Sequence, residues 1–152
     1  MRRLTPLLAF LFLLPSPALA QKLELAVSLS PAIITFSSGD PDTVPLLTAP
    51  PLQLTYRIRG NGNSPWSLTV LAAGDLIAGA SRIDISNVTW VATPAPPFQN
   101  GTLSKTVPQR IASGTGNVNP DSIGSISFRL ANSWTYDLGS YTQTILFTLS
   151  AP

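Results

Sequence analysis

The stretch Leu52-Gln53-Leu54-Thr55-Tyr56-Arg57-Ile58-Arg59-Gly60-Asn61-Gly62-Asn63-Ser64-Pro65-Trp66-Ser67-Leu68-Thr69-Val70-Leu71-Ala72 decides the class of fold. Leu52, Leu54, Tyr56 and Ile58 alternate with polar residues, and so do Trp66, Leu68, Val70 and Ala72. A period of two is the pattern of a strand buried on one face. Between the runs, Gly60 to Ser64 is built of residues that tolerate positive φ and tight turns, so the stretch predicts a β-hairpin.

The same alternation extends outward in both directions. Upstream, Leu23, Leu25, Val27 and Leu29 share one face. Downstream, Ile83 and Ile85, then Val88, Trp90 and Ala92, then Ile126, Phe128 and Leu130 repeat it. A last strand over residues 141–149 puts Tyr141, Ile145, Phe147 and Leu149 in phase. Prolines gather in residues 40–51 and 93–97, which are therefore loops or edges, because proline cannot donate to a ladder. No segment carries a helical period. About eight short strands with this punctuation predict an all-β protein, an antiparallel two-sheet β-sandwich.

The first twenty residues read as an export signal and are set aside from the fold. Arg2 and Arg3 precede an apolar run from Leu7 to Leu14, and Ala18-Leu19-Ala20 offers a small-x-small cleavage site before Gln21. The run is less than half the roughly 20 residues a spanning helix needs. The expectation is a secreted or extracytoplasmic product with one domain over 21–152 and no transmembrane segment after cleavage. Removing Arg2 and Arg3 from nine basic residues leaves seven, which match the seven acidic ones. A near-neutral chain lacks the clustered positive charge that nucleic acid requires. There is no cysteine, so stability comes from packing and strand pairing alone.

Residue types argue against catalysis. The chain has no histidine and no cysteine, which removes the usual nucleophile–base arrangements and the usual zinc and copper sites. Ser104 and Lys105 are neighbours and would point to opposite faces of a strand. Asp40-Pro41-Asp42 offers hard oxygen ligands for calcium, yet it also reads as a turn. No cofactor or metal is expected. Asn87-Val88-Thr89 and Asn100-Gly101-Thr102 fit the glycosylation sequon. Trp66 and Trp90 fall in phase with aliphatic neighbours and read as core. Trp134 and Tyr136 lie in a polar stretch and form a candidate contact pair for a sugar ring or a partner's pocket.

Pro65-Trp66-Ser67-Leu68-Thr69-Val70 resembles the first Trp-x-Leu motif of the WxL domain, a β-rich cell-surface domain of Gram-positive bacteria. The closing Tyr141-Thr142-Gln143-Thr144-Ile145-Leu146-Phe147-Thr148-Leu149-Ser150-Ala151-Pro152 is similar to that family's second motif, with Phe147 where the family has tryptophan. Residues 76–83 are similar to its middle strand. The resemblance implies non-covalent attachment to the cell wall, with Trp66 and Phe147 inheriting the signature. Gly139-Ser140-Tyr141-Thr142-Gln143-Thr144 also resembles the last strand of spore-coat-U and Csu-type pilus subunits. These assemble when an N-terminal strand of one subunit completes the sheet of the next, and they often carry a disulfide that this chain lacks. Three readings follow: a non-catalytic cell-envelope module bound to wall polysaccharide or another surface protein, which is favoured; a self-associating fibre subunit; and a carbohydrate-binding module. Trp66, Trp134, Tyr136 and Phe147 are the binding candidates.

Overall fold

A computed structural model describes residues 22–36 and 38–152; the segment expected to be an export signal lies outside the described residues. Eleven strands follow in order: β1 Glu24–Ser30, β2 Leu46–Thr48, β3 Leu52–Arg59, β4 Pro65–Ala72, β5 Leu76–Ala78, β6 Ser81–Ile83, β7 Val88–Thr93, β8 Gly101–Thr102, β9 Gln109–Thr115, β10 Val118–Ala131 and β11 Ile145–Ser150. One sheet runs β1-β3-β10-β7-β8, with the short β2 also on β10; the second runs β11-β4-β9, and β5-β6 form a separate hairpin. All pairings are antiparallel. The protein is an all-β sandwich, as the alternation requires, and no helix among the described residues is long and apolar enough to cross a membrane.

The core is the set of inward faces read from the sequence. Leu52, Leu54, Tyr56 and Ile58 on β3 meet Trp66, Leu68, Val70 and Ala72 on β4, all of them buried. Trp90 on β7 stands opposite Phe128 on β10. Each such side chain contributes about 1.5–3 kcal/mol on burial.

The expected hairpin over residues 52–72 does not form. β3 hydrogen-bonds to β1 and β10, and β4 to β11 and β9, so Gly60–Ser64 carries the chain from one sheet to the other. The two strands face each other through their side chains, with the Tyr56 and Trp66 rings 5.3 Å apart. Two alternating runs joined by a glycine-rich turn satisfy a hairpin and an inter-sheet arch equally well. What selects the arch is the competition of β1, β9, β10 and β11 for the four edges. The arch is clamped through the buried Asn61, whose Nδ2 donates to the Ser64 and Gly116 carbonyls while its N–H donates to Asn117 Oδ1. Gly60, at φ 71°, supplies the left-handed residue that starts it.

Other boundaries also differ. Ile85–Asn87 is a 3-10 turn capped by Asp84, whose carboxylate accepts the Ser86 N–H; the short spacing put Ile83 and Ile85 in one strand, but Ile85 reaches the core from the turn. Residues 141–144 precede β11, and their one β-bridge among the described residues joins Thr142 to Ile77. Residues 76–83, expected as one strand, form the β5–β6 hairpin, closed at Gly79.

Asp75 ties the β4–β5 turn to the rest of the molecule. Its two carboxylate oxygens each accept from Lys105 Nζ at 2.7 Å, and Oδ1 also accepts the Ile85 N–H. Lys105 hydrogen bonding, then the Ile85 N–H, hold the Asp75 carboxyl below the usual range, and Asp75 in turn raises the Lys105 ammonium. A depressed carboxyl stabilises the fold above its unfolded pKa and loses that contribution as pH falls through its folded value. Asp75→Asn is therefore expected to flatten the acid limb of the stability profile. Thermal melts from about pH 7 to about pH 2 check this; an acid limb identical to that of the unmodified protein would contradict it.

Candidate functional site

Along one side of the sandwich β1 and β11 approach each other without fully burying the apolar side chains between them. Antiparallel partners directly opposite each other project to the same face, so the pairing of Leu25 with Ile58, Val27 with Tyr56 and Leu29 with Leu54 points β1's apolar residues inward, as their alternation predicts. Yet Leu25 is 37% and Val27 39% exposed, whereas Ile58 and Leu54 have no exposed surface. The reason lies in the facing sheet, which has three strands and ends at β11. β11 comes close to β1 but leaves its inward side chains partly uncovered. On β11 the inward residues Ile145, Phe147 and Leu149 are half-buried, while their β4 neighbours Val70 and Leu68 are fully buried. β1 and β11 thus border one seam, each with an unpaired edge.

At the end of this seam nearest Ser30 the opening deepens into a cleft of about 840 Å3. Its floor is core: Leu52, Ile83, Ile85, Leu103 and Phe128. Its walls are Leu47 on β2, Leu76 on β5, and Tyr136, Tyr141, Ile145 and Phe147 from the C-terminal region. Some polar groups at the rim are engaged within the chain. Tyr141 donates its hydroxyl to the Asp137 carbonyl, and Gln143 Nε2 donates to the Asp75 carbonyl. The hydroxyls of Tyr136, Ser140, Thr142 and Thr144 make no side-chain hydrogen bond among those described; partial burial raises the Tyr136 pKa.

Three of the four residues singled out from the sequence gather here. Phe147 and Tyr136 line the cleft, and Trp134 stands on its rim, 68% exposed, donating Nε1 to Asp42 Oδ1 at 3.0 Å. Trp66 does not join them. It is buried in the core, and the hollow of about 430 Å3 that it borders lies toward the other end of β11, beside Ser67, Ser113, Ser150 and Pro152. Trp66 and Phe147 therefore do not share one surface. A Cβ at Gly114 would stand 2.7 Å from Trp66 Cζ2, so the indole fits only against a glycine.

The Asp40–Asp42 carboxylates are occupied by turn and rim contacts. Asp40 Oδ1 accepts the Asp42 N–H, the Asp40 carbonyl accepts those of Thr43 and Val44, and Asp42 holds Trp134. The sequon residues also serve the fold: Asn100 Oδ1 accepts the Ala92 N–H, and Asn87 Nδ2 donates to the Asp84 carbonyl.

Sequence reasoning placed Leu25, Val27, Ile145 and Leu149 in the interior and so missed them as seam residues. Their alternation is the same as that of core residues, so the sequence held no signal that separates them. Comparison with protein families, with curated proteins and with solved structures finds no match.

Proposed function

We propose that this chain is an exported, non-catalytic module of the cell envelope that works by binding, and that it binds an extended apolar segment of another polypeptide along the seam between β1 and β11. The observation that carries this reading is the exposure of inward-facing Leu25 and Val27 beside β11, the edge strand of the facing sheet. An added strand on β11 would pair its free N–H and C=O groups and cover both rows of apolar side chains, which is the physics of β-strand addition. Fibre assembly and docking to another surface protein both use this chemistry. Attachment to wall polysaccharide draws less support, because Trp66 and Phe147 open onto different hollows.

The test is sedimentation of the protein spanning residues 21–152 over a range of concentrations, with a synthetic peptide of residues 22–30 and with peptidoglycan. Concentration-dependent association, or peptide binding that Val27→Asp abolishes, is the expected result. A monomer at every concentration that ignores the peptide and pellets with peptidoglycan would replace this reading with the wall-binding one.

A further inference from the structure

The segment after β1 covers the cleft in an unusual way. β1 is laddered to β3 up to Ser30, paired with Gln53. From Pro31 to Phe36 the chain then crosses the cleft without a backbone–backbone hydrogen bond to any described residue. What holds it is side-chain burial. Ile34 and Phe36 are half-buried against the core, whereas Ile33 between β1 and them is 80% exposed. Beyond it, two clasps fix the following turn: Asn132 Nδ2 donates to the carbonyls of Gly39 and Val44, and Trp134 Nε1 donates to Asp42.

An alternating pair of large apolar side chains on a backbone unpaired with any described residue is what an incoming strand would present. We propose that Ile34 and Phe36 are stand-ins, and that the partner segment enters the cleft with two bulky apolar side chains at alternate positions, displacing the Pro31–Phe36 strap. This rests on the seam reading and adds to it the partner's side-chain pattern and a competitor within the chain. The chemistry of the cleft favours such an occupant. Its floor is aliphatic and aromatic, with Leu52, Ile83, Ile85, Leu103 and Phe128 offering an apolar side chain a full lining. The strap is exchangeable because its contacts are apolar. An entering segment that matches them and also pairs with the free edge of β11 gains hydrogen bonds the strap does not make.

The tethered strap competes at a high effective concentration, on the order of millimolar for a short linker. Binding of a peptide of residues 31–36, carrying a fluorophore, to the double variant Ile34→Ser/Phe36→Ser is therefore expected to be at least tenfold tighter than to the unmodified protein. Equal affinity for both, with the variant folded by near-ultraviolet circular dichroism, would overturn the proposal. A second measurement covers a variant that does not fold. The chain has no cysteine, so Ile33→Cys gives a single spin-label position on an exposed strap residue of the otherwise unmodified protein. Saturation with the peptide of residues 22–30 or of residues 31–36 is expected to sharpen its spectrum as the strap leaves. A bound peptide with an unchanged spectrum would sink displacement and leave the seam reading standing. Neither peptide binding either form would sink both.

Discussion

Trp66→Ala is expected to lower the unfolding free energy by about 3–5 kcal/mol, the range for large aromatic deletions in cores. The indole is buried, its ring lies 5.3 Å from that of Tyr56 across the sandwich, and Gly114 is the floor it rests on. Truncation leaves a cavity where the two sheets meet beside the arch, and neither sheet can close it without moving Tyr56. The indole N–H has no hydrogen-bond partner among the described residues. A buried unpaired donor is a cost rather than a gain, so Trp66→Phe is expected to be far milder than Trp66→Ala. Urea unfolding of both variants checks the pair. A loss under about 1 kcal/mol for Trp66→Ala, joined to lost binding of wall material, would make Trp66 a contact residue after all.

Deleting residues 22–30 is expected to have an effect at least as large. β1 forms seven paired positions with β3 and covers the edge of the strand that carries Leu54, Tyr56 and Ile58. Its charges also lock onto the sheet, with Glu24 2.8 Å from Arg57 and Arg57 3.6 Å from Asp121 on β10, although exposed pairs of this kind contribute little individually. Loss of β1 would transfer the free edge to β3 and widen the seam to a full face of core. The expected outcome is a protein that aggregates or melts without cooperativity, with the peptide of residues 22–30 restoring solubility in trans. A truncated monomer with an unchanged melting temperature would show that β1 is dispensable to its own chain.

These two outcomes bear on the same question, namely which apolar faces are committed within the chain. The β3 and β4 faces are committed, since each is opposed by the other. β1 and β11 are committed on one edge and open on the other, and that difference concentrates the candidate binding surface on one side of the sandwich. Trp134, Tyr136 and Phe147 belong to that side; Trp66 belongs to the core.

The amino-acid sequence by itself determined the all-β class and, for most strands, which side chains face inward. Period-two alternation is a local property: Leu52 to Ile58, Trp66 to Ala72 and Val88 to Ala92 carry it whatever they pair with. Even Leu25 and Val27 point inward as their spacing requires. The absence of histidine and cysteine likewise narrowed the chemistry without any coordinates. Partnering was beyond the sequence, because hydrogen bonds between strands join backbone groups that every residue possesses. Gly60 to Ser64 permits a hairpin or an arch, and the arch follows from four other strands taking the edges of β3 and β4. The seam is likewise a tertiary result. Leu25 and Leu54 have the same alternation and the same inward direction, and one is half open because the sheet facing it ends at β11, a fact about the number of strands in the opposite layer rather than about either residue.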